Sequence, residues 1–191
     1  MAALRSTFAV LIVGLSLLAG CTPADPAGQP TYSCTPDDGS SPYPCHKVQY
    51  DAKAKEAALY AEAEAVYRKF FAEDERINRV GGANEPTPVI LETTTGRFQT
   101  DVMAGYRNLL AIHGTATGGE FKIAWIKRQP KDSLDGSIVA LLACTDASSV
   151  QMGARGKTPV AGPVIQYIGY FVRDGAALKL TAARSKVVSS C

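Results

Sequence analysis

The sequence predicts an α+β domain in which N-terminal helices pack on an antiparallel sheet of about four strands. Three observations carry this. Apolar residues recur at helical spacing between Asp51 and His113. After Gly119 the spacing drops to every second residue, the period of a strand with one buried face. The last two apolar runs meet at Arg173-Asp174-Gly175, a tight hairpin signal. At 191 residues, 46% hydrophobic and 20% charged, the chain can close one sizeable core and is not wholly disordered, collagenous or a coiled coil. A formal net charge of +2 is too small for nucleic-acid binding through an overall field.

Three segments follow from composition: residues 1–20, 21–50 and 51–191. The first carries one cation, Arg5, no acid, and an apolar run from Phe8 to Leu18, a signal-peptide core too short to span a membrane. It ends Leu18-Ala19-Gly20-Cys21, which resembles the bacterial lipobox. The resemblance implies cleavage before Cys21 and lipidation of its thiol. Acyl chains contribute about 0.8 kcal/mol per buried methylene, so two or three give a durable anchor. The expected address is the extracytoplasmic face of a bacterial cell membrane, with the membrane reached through the lipid.

Residues 21–50 hold six prolines (Pro23, Pro26, Pro30, Pro36, Pro42, Pro44) among Gly, Ser, Thr and Asp, the composition of an extended tether. With Cys21 lipidated, four cysteines remain in an oxidising compartment. Of the three pairings, Cys34–Cys45 and Cys144–Cys191 is favoured. The first closes a short loop in a segment without a core, and the second pins residue 191 to the sheet. The alternative for Cys144 is a buried free thiol.

In residues 51–191, Asp51 to Arg79 reads as one long helix with Asp51 as N-cap and Gly81-Gly82 as its stop. Leu59, Ala63, Val66, Phe70 and Ile77 form its apolar face, with Tyr60, Tyr67 and Phe71 beside it. Glu62, Glu64, Glu73, Asp74 and Glu75 read as its solvated side. Pro86 and Pro88 mark a loop, and a second helix from about Thr100 to His113 presents Met103, Tyr106, Leu110 and His113. Strands are expected at Phe121–Ile126, with Phe121, Ile123 and Trp125 on one face, at Ser137–Asp146, at Val164–Arg173 and at Ala176–Val188.

Helices followed by a meander resemble the cone-shaped fold shared by nuclear transport factor two, scytalone dehydratase and ketosteroid isomerase. More narrowly, the chain resembles small actinobacterial lipoproteins of that superfamily. The residues behind this are the lipobox, the helix segment Ala63-Glu-Ala-Val-Tyr-Arg-Lys-Phe-Phe71, the strand end Cys144-Thr145-Asp146, and Cys191. The resemblance implies a long first helix lying across a bent sheet and enclosing an apolar pocket.

No cofactor or metal is expected. Cys34, Cys45 and His46 are three ligands at best, in competition with a disulfide. Gly153-Ala-Arg-Gly-Lys-Thr158 looks like the end of a phosphate-binding loop, but Gln151 stands where a glycine is required and Pro159 where a helix should begin. It reads as a basic hairpin loop. An isomerase-like or dehydratase-like site would need a pocket acid or histidine with a raised pKa. Asp101, Asp146 and His113 are the candidates, with Tyr106, Tyr167 or Tyr170 as donors. None follows the ketosteroid isomerase pattern, so no residue is assigned a catalytic role. Tyr60, Tyr67, Tyr106, Trp125, Tyr167 and Tyr170 are the expected pocket lining. The expectation is a binding module for a small apolar ligand or another envelope protein, with a cofactor-free isomerase or dehydratase as the alternative. A paired acid and tyrosine inside the cavity separates the second from the first.

Overall fold

The computed structural model describes residues 31–36 and 39–191. The expected export segment, residues 1–20, and Cys21 lie outside them. The chain divides between Lys47 and Val48 into two compact units.

The first unit contains a two-stranded antiparallel ladder, β1 (Tyr32–Cys34) and β2 (Tyr43–Cys45), with Tyr32 opposite Cys45 and Cys34 opposite Tyr43. A disulfide joins Cys34 and Cys45, whose Cα atoms are 5.9 Å apart. The composition suggested extended chain here. Cross-linking two short segments brings their backbones close enough to pair without an apolar core.

The second unit opens with α1 (Lys47–Val80), 34 residues long. Because the helix starts at Lys47, Asp51 lies inside it and does not cap it. Salt bridges one turn apart support its outer side: Glu64–Arg68 at 2.7 Å and Glu75–Arg79 at 2.8 Å. Its buried stripe is Tyr60, Ala63, Tyr67, Phe70, Glu73 and Ile77. The expected face thus turns by about one residue. Tyr60 and Tyr67 move to its centre, and Leu59 and Val66 are partly buried at its margin. Both stripes share Ala63, Phe70 and Ile77, and the one that buries two phenol rings removes more apolar area from water. The helix stops as expected. Gly81, at φ 89°, takes the left-handed position, and the Gly82 amide donates to the Ile77 carbonyl at 2.9 Å, closing a Schellman cap.

The expected loop at Pro86 and Pro88 contains a short helix, α2 (Pro88–Thr93). Thr87 caps it by accepting from the Ile90 amide at 3.3 Å, and Pro88 occupies the first turn. Helix α3 (Gly96–Ala111) starts four residues before the expected Thr100 and buries Phe98, Met103 and Tyr106. His113 is a correction. It lies beyond the helix at φ 49° and is exposed, so it does not share the buried face.

The remaining strands are β3 (Thr115–Thr117), β4 (Lys122–Arg128), β5 (Val139–Asp146), β6 (Gln151–Gly153), β7 (Val160–Ala161), β8 (Val164–Asp174) and β9 (Ala177–Val188). Four of them form the expected antiparallel sheet, ordered β4-β5-β8-β9. β8 and β9 join at Asp174-Gly175, as their dipeptide signals. The short β3, β6 and β7 make a separate three-stranded sheet around Ala116, Ala147 and Val150. Gly153–Thr158 falls in the β6–β7 connection, where the Lys157 amide donates to the Ala154 carbonyl at 3.0 Å. It is the hairpin loop its sequence suggests.

Val139, Leu141 and Ala143 of β5, with Phe171, Leu178 and Leu180, face the helices and close the main core. Ala140, Tyr170 and Ala182 lie on the other face with Leu134 and Ile168. A register shift between Ile123 and Trp125 puts Ile123 and Ile126 against the core, whereas Trp125 pairs with Cys144 on the opposite face. Strict alternation would have put Ile123 and Trp125 together. One extra residue in the strand separates them.

Candidate functional site

Asp74 follows Tyr60 and Tyr67 at seven-residue spacing on α1, which carries it to the side of the helix that meets α3. The hydroxyl of Tyr106 donates to Asp74 Oδ1 at 2.7 Å. Asn78, one turn along, donates its amide to the Asp74 carbonyl at 2.8 Å. The chain thus half-buries a carboxyl that its position between Glu73 and Glu75 had assigned to solvent. Glu73 is a second correction: it is only 9% exposed and is held by a bidentate pair from Arg76 at 2.7 and 2.8 Å. Glu62, Glu64 and Glu75 do pair at the surface, with Arg173, Arg68 and Arg79.

The electrostatics follow from this placement. Burial pushes the Asp74 carboxyl above its ordinary range. Hydrogen bonds from Tyr106 and Asn78 act against that rise, and the charge of Glu75 adds to it. Burial, and after it the charge on Asp74, pushes the hydroxyls of Tyr67 and Tyr106 far up. Tyr167 shifts the same way, by burial first and then by Tyr67 and Asp74. These phenols keep their protons, and Tyr106 uses its own to donate to Asp74. The Tyr167 hydroxyl is fully buried and has no hydrogen-bond partner. By contrast, the Glu73 carboxyl is held low, chiefly by its hydrogen bonds from Arg76.

Above Asp74 and Tyr106, between α1 and α3, lies a pocket of about 270 Å³. Asn78 and Asn108 supply its other polar groups, Val102 and Leu109 its apolar walls, and Gly105 part of its rim. A second cavity of about 540 Å³ is lined by Phe98, Tyr167, Leu134 and residues 182–185, with Arg97, Asp101, Asp135 and Arg184 as its charged groups. Neither is the enclosed apolar pocket expected from the sequence. Tyr67, Phe70, Phe98 and Tyr167 fill the space between helices and sheet, with Phe70 and Phe98 edge-to-face at 5.2 Å and Tyr67 and Tyr167 at 5.8 Å.

The proposed lining residues therefore scatter. Tyr106 lines the smaller pocket and Tyr167 the larger. Tyr60 and Tyr67 are packed core, the former under the Arg128 guanidinium at 4.9 Å. Tyr170 and Trp125 belong to the other sheet face. Tyr170 donates to Asp132 at 3.2 Å, and Trp125 donates to the Cys191 carbonyl at 3.0 Å. Of the candidate acids, Asp101 touches the larger cavity but is mostly exposed and pairs with Arg97 at 3.4 Å. Asp146 starts a surface turn, accepting from the Ser148 amide at 2.8 Å, and hydrogen bonding from the Ser148 side chain first and its amide second holds the carboxyl low. Exposed His113 approaches neither pocket's lining. Cys144 is bridged to Cys191, with Cα atoms 5.7 Å apart, so it is no free thiol.

Among the described residues no three His, Cys, Asp or Glu side chains gather as a metal site, and no helix is long and apolar enough to cross a membrane. No family model, curated protein or solved structure matches this chain.

Proposed function

We propose that the chain is an exported lipoprotein, held at the extracytoplasmic face of a bacterial cell membrane by lipid on Cys21, whose helix-on-sheet domain binds a small ligand. The pocket between α1 and α3, floored by Asp74 and Tyr106, is the observation that carries the binding reading. A fold built only for stability gains nothing from a half-buried carboxyl that no cation pairs with among the described residues. The helix-first order, the long α1 and the β4-β5-β8-β9 meander support kinship with the nuclear transport factor two-like cone. The two disulfides and the Pro-rich segment after Cys21 support the exported address. In the native host, Cys21→Ser should move the protein from the membrane pellet to the soluble fraction. A variant that still pellets defeats the anchor.

The same pair favours a second reading, a cofactor-free acid–base enzyme. A carboxyl raised by burial can take a proton near neutral pH, and a phenol beside it can donate one. Here Tyr106 already donates to Asp74, so substrate would have to displace that hydrogen bond. Deuterium exchange at the α-carbon of cyclopentanone, followed by NMR, separates the readings. An enzyme accelerates exchange over buffer and loses the effect in Asp74→Asn, whereas a binding protein leaves the background rate unchanged.

A further inference from the structure

Among the described residues the Asp74 carboxyl has no counter-ion. Arg76 is committed to Glu73 in a bidentate pair, and Arg79 is committed to Glu75 and to the carbonyls of Gly118 and Gly119. Arg107 donates to the Asn84 carbonyl at 2.9 Å. Among the described residues no lysine, arginine or histidine pairs with Asp74. The ionisable groups that interact with it are acidic or phenolic: Glu75 and Tyr67 from α1, Tyr106 from α3, and Tyr167 from β8. A carboxylate drawn even partly out of water is ordinarily paired or neutralised. This one lies at the floor of a pocket, with the amides of Asn78 and Asn108 around it and the side chains of Val102 and Leu109 above.

From this geometry we infer that the pocket between α1 and α3 takes a small organic cation, a primary ammonium on a short apolar stem, with Asp74 as its counter-ion. The inference rests on the ligand-binding reading above. A primary ammonium has three N–H donors and no acceptor. Asp74 retains acceptor capacity beyond the Tyr106 hydrogen bond, and the two asparagine amide oxygens can accept the other N–H groups. Val102 and Leu109 match a few methylenes, and about 270 Å³ limits the ligand to a compact molecule. An anion would find amide and phenol donors there but also the repulsive field of Asp74. A neutral ligand of the same shape would leave the carboxylate unpaired.

The test uses the full chain and n-butylammonium chloride as probe, with n-butanol and butyrate as isosteric controls at constant ionic strength. Binding is followed by calorimetry and by chemical shifts. Saturable binding of n-butylammonium alone is expected. It should tighten as rising pH ionises Asp74, and the probe itself stays charged to about pH 10, as a lysine side chain does. Asp74→Asn should weaken binding by at least about ten-fold, as loss of a charge-assisted contact does. Gly105→Leu provides a second variant, because a Cβ at residue 105 meets no atom within 4 Å and the longer side chain can fill the mouth without disturbing the helix. It should abolish binding in a protein with an unchanged circular dichroism spectrum. Equal binding by wild type and Asp74→Asn overturns the inference. Saturable n-butanol or butyrate binding that Gly105→Leu removes, with none for the ammonium, overturns the cation and leaves the pocket standing. Silence from all three probes overturns the pocket reading as well.

Discussion

Cys191→Ser should lower the melting temperature of the helix-on-sheet unit by about 10–15 °C. The bridge to Cys144 spans a sequence separation of 47 residues. In the chain-entropy model, a closed loop of that size removes enough freedom from the unfolded chain to be worth about 4 kcal/mol. The unit Val48–Cys191 should unfold with an entropy near 0.3 kcal/mol/K, at about 2.1 cal/mol/K per residue, which converts 4 kcal/mol into roughly 13 °C. The substitution leaves Cys144 fully buried, where a thiol behaves as a small apolar group, so no second penalty of similar size enters. Losing the fixed Cys191 carbonyl also frees the Trp125 indole N–H, which adds up to about 1 kcal/mol. Scanning calorimetry of the variant and of the wild type, oxidised and reduced, measures the shift. If Cys191→Ser melts within about 3 °C of the oxidised wild type, the bridge does not restrain the unfolded chain and the reasoning fails.

Asp74→Asn should raise stability, and the gain should depend on pH. A carboxyl whose folded pKa lies above its unfolded value favours the native state at low pH, and that contribution is lost as pH rises from about 4 through the raised value. Urea unfolding should therefore find the variant near wild type at about pH 3 and about 1–3 kcal/mol more stable on the alkaline side, with Tyr106 still donating to the amide oxygen. A variant less stable than wild type at neutral pH counts against the unpaired-carboxylate account. Gly82→Ala should cost more than about 2 kcal/mol by the same measurement, because φ there is 104° and the added Cβ would lie on the Tyr106 carbonyl and 2.9 Å from Leu110. Residues 47–191 expressed alone should melt in one cooperative transition, since the whole main core lies after Val48. A broad, non-cooperative melt would show that this unit does not fold by itself.

The sheet was legible because its signals are local. Period-two runs and the Asp174-Gly175 turn each constrain a few residues and do not conflict. The helix face was harder, because Leu59/Val66 and Tyr60/Tyr67 are stripes about 100° apart that share their other members. Asp74 was missed for the same reason. Between Glu73 and Glu75 it looks solvated, yet its seven-residue spacing from Tyr67 and Tyr60 already put it at the margin of the buried stripe. What the sequence does not carry is its partner, since Tyr106 meets Asp74 only through the packing of two helices 32 residues apart. Helix α2 could have been read from Thr87-Pro88, a cap followed by a first-turn proline. The bulge in β4 had no such signal, and it decides which side of the sheet Trp125 occupies.

The Cys144–Cys191 bond also sets how the domain bears load. A pull applied at Cys191 does not enter the sheet along edge strand β9, from which strands could be unzipped one ladder at a time. It passes through sulfur directly into β5, an inner strand hydrogen-bonded on both sides. The 47 residues of the loop lie outside the load path and contribute no length when the domain gives way. A single-molecule extension trace of the oxidised protein should therefore be shorter than that of the reduced protein by about 200 Å, of which this loop supplies about 160 Å and the 11-residue Cys34–Cys45 loop the rest, at about 3.4 Å per residue. A domain tethered at one end and tugged at the other would behave as a short, stiff link until its disulfide is reduced.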